Sequence, residues 1–146
     1  MRHAAPIAVV LLALAGCHNA TWLPNTDGAL NKPAKEFAAD ATSRFPYPAD
    51  APRGGEFKAR AEVGYDANVI NLANFSGGTL TDVELWVNKQ YVIFLPSVEQ
   101  GRAKFIPFKV IYNDKNEHLP ESGVYVDTLE IKVGGTMYDV PKRVGG

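Results

Sequence analysis

The sequence is poor in the residues that most often carry chemistry. Among 146 residues it has three histidines and a single cysteine, so an intrachain disulfide is excluded. Charge is balanced, with 15 lysines and arginines against 16 aspartates and glutamates. Because contacts to phosphate backbones need a basic excess, this balance argues against nucleic acid as a partner. No apolar run reaches the roughly 20 residues that a membrane-spanning helix needs.

Few polar groups are placed where an enzyme would need them. Without residues 1–16 the chain keeps two histidines, His18 and His118. A Ser-His-Asp set would have to combine His118 with Ser122 and Asp114, and no serine lies in a nucleophile-elbow pattern. We therefore expect no catalytic residues and no cofactor.

A metal site is not expected either. The sequence has no cluster of histidine and cysteine that would suit zinc. Residues 113–117, Asn-Asp-Lys-Asn-Glu, offer hard oxygen atoms that calcium could use. They lack the longer acidic array and the glycine of an EF-hand loop, and a hairpin turn explains them without an ion.

The amino terminus carries the clearest signal. Residues 4–15 form a small apolar run of twelve residues, too short for a membrane helix but suited to the core of a signal peptide. The run ends in Leu14-Ala15-Gly16-Cys17. This motif resembles the lipobox of bacterial lipoproteins, in which one branched apolar residue and two small residues precede a cysteine. The alternative is an ordinary secretory cleavage site followed by an incidental thiol.

The lipobox resemblance implies a processed and acylated protein. It implies cleavage after Gly16, so that residues 1–16 are a signal peptide, and a diacylglycerol thioether on Cys17. A further acyl chain, such as palmitate, on the new amino terminus would make membrane attachment stable, where one chain alone is marginal. In Gram-negative relatives an aspartate after the cysteine favours the inner membrane. His18 at that position implies the outer membrane, facing the periplasm or the surface.

Residues 17–56 are rich in proline and are predicted to form a tether. The Phe-Pro-Tyr-Pro sequence at 45–48 favours extended, polyproline-like chain. One short helix fits, with Asn31 as its cap and Pro33 in its first turn. Pro46 would end it. Its apolar positions recur at helical spacing: Phe37, Ala38, Ala41 and Phe45.

Residues 57–146 are predicted to be the folded domain. Short segments of alternating or β-branched residues are separated by turn signals, which indicates an all-β chain. The predicted strands are 59–65, 68–75, 80–88, 91–95, 103–112, 124–133 and 137–140. This spacing predicts a small antiparallel β-sandwich of about seven strands, immunoglobulin-like, with a small open barrel as the alternative.

The domain also carries a weaker resemblance. An asparagine-rich strand, the turn Ser76-Gly77-Gly78, the strand that contains Asp82 and a long strand after Gly101 follow one another. This order resembles a group of uncharacterised bacterial lipoproteins and the small immunoglobulin-like modules of envelope proteins. The resemblance implies a fold and a location, but no activity.

The strand at 80–88 predicts a binding patch. Val83, Leu85 and Val87 alternate with polar residues and are predicted to face the core, so that Trp86 faces outward. A two-residue loop at 89–90 would pair Trp86 with Ile93. An exposed apolar patch around a tryptophan is typical of interaction surfaces. The predicted patch is Trp86, Tyr91, Ile93 and Leu95.

Two alternatives to this patch stay open. A helix or a loop could cover the sheet on its outer side. A register shifted by one residue could instead place Trp86 in the core.

These features predict a lipid-anchored module of the cell envelope. We expect a non-catalytic domain that acts in interaction or assembly, with an envelope protein or a glycan as partner and the membrane as the site of attachment. The alternative is a carbohydrate- or peptidoglycan-binding module that uses Trp86 and Tyr91 as stacking platforms. A secreted enzyme is the third and least favoured hypothesis.

Overall fold

Residues 27–145 are described in a computed structural model of the chain. They form nine strands, one α-helix, α1 at Ala34–Thr42, and two 3-10 turns at Gly28–Leu30 and Phe108–Val110. The predicted cleavage motif and Cys17 lie outside the described residues. The strands are β1 Arg53–Glu56, β2 Ala59–Gly64, β3 Val69–Asn74, β4 Leu80–Val87, β5 Tyr91–Val98, β6 Lys104–Pro107, β7 Leu129–Val133, β8 Thr136–Asp139 and β9 Lys142–Gly145.

The strands form two sheets. The five-stranded sheet has the order β1-β8-β7-β4-β5, and the four-stranded sheet has the order β6-β3-β2-β9. Most neighbours are antiparallel, but β1 pairs with β8 and β9 pairs with β2 in parallel. The prediction of a mostly β chain is confirmed. The prediction of an antiparallel sandwich of about seven strands holds only in part, since residues 27–145 contain nine strands and both sheets include one parallel pair.

A pair of strands joins the two sheets along one side. β1 continues into β2 and β8 continues into β9, and the pair stays together across the bend. The Phe57 amide donates to the Asp139 carbonyl at 2.8 Å, and the Ala61 amide donates to the Pro141 carbonyl at 2.9 Å. Because the backbone ladder runs across the bend, this side of the sandwich is closed by hydrogen bonds as well as by packing.

The two strands that the sequence did not predict belong to this pair. β1 reads Arg-Gly-Gly-Glu and β9 reads Lys-Arg-Val-Gly, and neither alternates apolar with polar residues. Their place is set by their parallel neighbours. Gly54 is required there, because a Cβ atom on it would lie 1.9 Å from Cε1 of Tyr138.

The core lies between the sheets and follows the predicted alternation. Val83, Leu85 and Val87 of β4 are fully buried, which confirms their predicted inward orientation. On the four-stranded sheet, alternate residues of β2 and β3 face the same core. These facing residues are Ala59, Ala61, Val63, Ile70 and Leu72.

One buried polar side chain, Asn74 at the end of β3, organises the following turn. Its amide nitrogen donates to the carbonyl oxygens of Gly78 at 2.8 Å and Val98 at 2.9 Å. Its oxygen accepts from the amide and the hydroxyl of Ser76. Asn74 thus satisfies its own polar atoms and fixes the 75–79 turn against β5.

Two predicted strands are shorter than expected. The strand predicted at 103–112 ends at Pro107, which has no amide proton and leads into the 3-10 turn. The strand predicted at 124–133 begins only at Leu129. Before it, the Asn88 side chain holds the loop, since its oxygen accepts from the amides of Asp127 and Thr128.

The segment predicted as a tether is packed from residue 27 onward. The predicted helix is present as α1, but Pro33 occupies the cap position that we expected for Asn31. Phe37 and Ala41 of the helix are buried, and the helix packs against β5. This differs from an extended tether over 17–56, because the apolar side chains of the helix and Phe45 pack on the five-stranded sheet. Residues 17–26 lie outside the described part of the chain.

Candidate functional site

The predicted patch around Trp86 is not a surface. Trp86 points away from the sandwich core, as predicted, but it is 0% exposed. Phe45 and Tyr47 cover it, with ring centroids 5.1 and 5.3 Å from the indole in edge-to-face geometry. A covered outer face, which the sequence left open as an alternative, is therefore what the structure has.

The pairing of β4 with β5 also differs from the prediction. Trp86 pairs with Val92, whereas Ile93 pairs with Leu85. The turn has three residues, 88–90, instead of two, and its first two residues, Asn88 and Lys89, have positive φ angles of 52° and 58°.

A register shift of one residue moves side chains to the other face of a sheet. Tyr91, Ile93 and Leu95 accordingly share the inner face with Val87, Leu85 and Val83. Ile93 and Leu95 are buried, and Tyr91 is half-buried. The structure thus does not bring the four predicted patch residues together on one surface.

We call Phe45 and Tyr47, with the segment that carries them, the cover. Charged groups hold this cover over Trp86. The indole Nε1 donates to Oε2 of Glu84 at 3.0 Å, and Oε1 of Glu84 accepts from Arg44 at 3.2 Å. Arg44 also donates to Asp40 of the helix at 2.9 Å. Burial alone would lower the pKa of Arg44, but its hydrogen bonds to Asp40 and Glu84 outweigh burial and raise it. The helix is thereby tied to the tryptophan through two carboxylates.

A second carboxylate, Glu130, is buried under the same cover and is 2% exposed. It accepts a hydrogen bond from the Tyr47 hydroxyl at 2.8 Å and another from Arg53. Burial, and then the bond to Glu130, raise the pKa of Tyr47. The bond to Glu130 likewise raises the pKa of Arg53. Glu130 is paired on both oxygens, so its role is to hold the cover.

The polar loop weighed as a calcium site is occupied by its own hydrogen bonds. The Asn113 oxygen accepts from the amides of Lys115 and Glu117, both at 2.9 Å. Its amide nitrogen donates to a carboxylate oxygen of Glu117 at 2.9 Å. Across residues 27–145, no three His, Cys, Asp or Glu side chains are grouped so that they could hold a metal ion.

His118 is engaged within the same loop. Its Nδ1 lies 2.9 Å from the carbonyl oxygen of Leu119, and its ring meets Tyr112 edge to face at 6.1 Å. These contacts place it against the backbone and a tyrosine ring.

The exposed apolar surface lies on the other sheet. We call the outward side of β6, β3 and β2 the open face; it includes Phe75, Phe105, Asn71, Ala73 and Arg60. Phe75 is 54% exposed and Phe105 is 57% exposed. A groove of about 720 Å³ runs beside Phe75, with Ala73 and Ala103 among its walls. The Oδ1 atom of Asn71, which lines this groove, has no hydrogen-bond partner among the described residues.

A second groove, of about 470 Å³, adjoins the open face and shares Ala103 with the first. Asp27, the first described residue, lines it and is held by Lys104 of β6. Burial alone would raise the pKa of Asp27, but its hydrogen bonds to Lys104 and to the Ala29 amide, together with the charges of Lys104 and Arg102, lower it. Asp27 therefore lies beside the open face.

Our patch prediction did not include this surface, and it is the burial of neighbouring residues in the structure that shows how its two rings are oriented. Ile106 is fully buried, so strand alternation turns its neighbour Phe105 outward. Phe75 follows Asn74, which is buried in the same way.

No protein-family model, curated protein or solved structure matches this chain. Within residues 27–145 no helix is both long and apolar enough to cross a membrane. Function must therefore be inferred from the residues of this chain.

Proposed function

We propose that this protein is a lipid-anchored lipoprotein of the bacterial cell envelope, whose β domain binds a partner and catalyses no reaction. The observation that carries the proposal is the sequence Leu14-Ala15-Gly16-Cys17 after an apolar run of twelve residues. In this proposal residues 1–16 are removed and Cys17 carries the acyl chains. His18 favours the outer membrane, on its periplasmic or surface side.

Anchoring would act through proximity. Acyl chains confine a domain to one membrane surface and so raise its effective concentration for partners in the same envelope. Asp27 lies ten positions after Cys17. Because an extended chain spans at most about 3.5 Å per residue, the domain would stay within about 35 Å of its anchor.

The non-catalytic part of the proposal is supported by the hydrogen bonding of the two carboxylates beside Trp86. Glu84 and Glu130 are the acidic side chains beside Trp86, and each is engaged by an arginine. A general acid or base needs a group that can meet a substrate, and these two face the cover instead.

The fold supports a general architectural relation and not membership of a particular family. We propose that the domain is immunoglobulin-like in the general sense of two packed β-sheets that share one core. The hairpins β4–β5 and β7–β8 in one sheet support this relation. The parallel strands β1 and β9 are additions to such a pattern.

The proposal is tested on the natural product. Intact-mass analysis of protein purified from host membranes should show a chain that begins at Cys17 and carries diacylglycerol and acyl mass. Cys17→Ser should lose palmitate labelling and membrane retention, whereas Asn19→Ser, outside the motif, should keep both. An unmodified amino terminus near position 17, or a Cys17→Ser protein that is still labelled, would overturn the proposal.

A carbohydrate-binding role, the alternative drawn from the sequence, needs a different platform from the one predicted. Trp86 is covered, so it offers no ring to a sugar. Tyr125, 64% exposed and stacked on Tyr65 at 6.2 Å, is the ring that favours this second candidate. Sedimentation with peptidoglycan should then fall for Tyr125→Ala and stay unchanged for Phe105→Ala. Equal sedimentation of both variants would reject the glycan role of Tyr125.

A further inference from the structure

The open face and the anchored end of the chain lie on the same side of the domain. Asp27 lines a groove together with Phe105, and this groove meets the groove beside Phe75 at Ala103. Phe75 and Phe105 are both more than half exposed. Phe75, Phe105 and Asp27, the described residue nearest in sequence to Cys17, therefore lie on one side of the domain.

Charge differs between this side and the opposite end of the molecule. The two grooves are lined by five basic residues, Arg60, Arg102, Lys104, Lys142 and Arg143, against three acidic residues, Asp27, Glu62 and Glu99. Arg102 and Arg143 keep their side chains largely exposed although each pairs with a glutamate. Basic side chains with exposed stems suit a surface that bears phosphate groups.

The far end of β3 has the opposite balance. There the turn at 65–68, the turn at 88–90 and the loop at 108–128 come together, because Tyr65 accepts from the Val126 amide and Asn88 donates to the Tyr125 carbonyl. The exposed lysines of this end are Lys89, Lys109 and Lys115. Its exposed acidic residues are more numerous: Asp66, Asp114, Glu117, Glu121 and Asp127. An anionic surface would repel this end.

From these observations we infer that the open face rests on the headgroup layer of the membrane, with Phe75 and Phe105 among the lipids and the acidic end turned away. The inference rests on the proposed lipid anchor. The ten steps along the chain from Cys17 to Asp27 reach at most about 35 Å, so the anchor would keep the domain beside the bilayer. Aromatic rings flanked by basic side chains are typical of surfaces that bind at the membrane interface.

The experiment measures how deep two sites lie in a lipid surface. The acylated full-length protein is reconstituted in liposomes of phosphatidylethanolamine and phosphatidylglycerol, with one added cysteine that carries a nitroxide. Gln100→Cys places the label beside the open face, since Gln100 is bridged to Asn74. Lys115→Cys places a matched label in the acidic end. Cys17 does not compete for the label, because acylation consumes its thiol.

The inference predicts a different environment at each position. The label at position 100 should shift toward high collision with oxygen, which dissolves in lipid, and low collision with an aqueous nickel chelate. The label at position 115 should stay aqueous. Adding Phe75→Ser and Phe105→Ser to the position 100 protein should return its label to water while acylation is unchanged.

Each contrary result has a distinct meaning. Acylated protein whose label at position 100 stays aqueous would overturn the inference and leave the proposed function standing. If the label at position 100 is protected from the nickel chelate only when envelope proteins are added, the inference would be overturned in favour of a protein partner. Protein that lacks acyl mass would overturn the proposed function and the inference together.

Discussion

The outer faces of the two sheets differ in how far their aromatic side chains are exposed to solvent. On the five-stranded sheet, Trp86 points outward and is fully buried under Phe45 and Tyr47. On the four-stranded sheet, Phe75 and Phe105 lie outward and stay more than half exposed. The difference shows that an outward position in a strand does not decide exposure. What decides it is whether a segment outside the sheet returns to cover that face.

The largest loss of stability is expected when the covered ring of Trp86 is removed. Trp86→Ala should lower the free energy of unfolding by about 3–5 kcal/mol, because it leaves a cavity beneath Phe45 and Tyr47. Urea denaturation of the domain measures this loss. Phe105→Ala, the matched change on the open face, should cost far less. Similar losses in the two variants would mean that Trp86 is not covered.

The buried carboxylate gives a second test, of intermediate size. Glu130→Gln should lower the free energy of unfolding by about 1–3 kcal/mol, because Arg53 and the Tyr47 hydroxyl lose a charged acceptor. Asp139 also pairs with Arg53, at 2.9 Å, but its side chain is mostly exposed. Asp139→Asn should therefore have a much smaller effect in the same denaturation experiment. Equal effects would show that burial of Glu130 does not strengthen its hold on the cover.

The pH dependence of stability gives a third test. Burial and Glu130 raise the folded-state pKa of Tyr47 above its value in the unfolded chain. A group with a raised folded pKa stabilises fully below its unfolded pKa, here about 10, and loses that contribution as the pH rises through the folded value. Unfolding free energy should thus fall more steeply above about pH 10 in the natural protein than in Tyr47→Phe.

Tyr125→Phe is the control for that titration. Tyr125 is exposed and lies away from Glu130, so Tyr125→Phe removes a tyrosine hydroxyl while the bond from Tyr47 to Glu130 is kept. If the unfolding free energy of Tyr47→Phe fell with pH as steeply as that of the natural protein, the proposed contribution of Tyr47 to stability would be rejected.

The smallest effects are expected on the open face. Phe75→Ser and Phe105→Ser should each change the free energy of unfolding by no more than about 0.5 kcal/mol, as surface substitutions usually do. Thermal unfolding measures this change. A loss of several kcal/mol for either variant would mean that the four-stranded sheet is covered like its partner, and the contrast between the two faces would disappear.

Most strands and the helix were predictable because their residues carry their own pattern. β4 alternates Val83, Leu85 and Val87 with other residues, and α1 repeats Phe37 and Ala41 at helical spacing. β1 and β9 were not predictable in this way. Their few polar residues and glycines become strands only because β8 and β2 offer them free edges, and a pairing with a distant partner leaves no local pattern.

The binding patch failed for two separate physical reasons. The first is one residue of turn length, which moved Tyr91, Ile93 and Leu95 to the inner face. The second is the segment before the domain, whose prolines suggested extended chain although its aromatic residues cover Trp86. Sequence alternation predicted correctly that Trp86 points outward, but it holds no information on what packs above it.

The ion pair between Asp27 and Lys104 has a mechanical consequence for a protein tethered at its amino terminus. If the chain is anchored at Cys17 as proposed, a pull on the anchor reaches Asp27 before the helix and before Phe45 and Tyr47. The ion pair with Lys104 links Asp27 to β6, which is paired along its length with β3. Part of such a pull would therefore pass into the four-stranded sheet before it reaches the residues that cover Trp86.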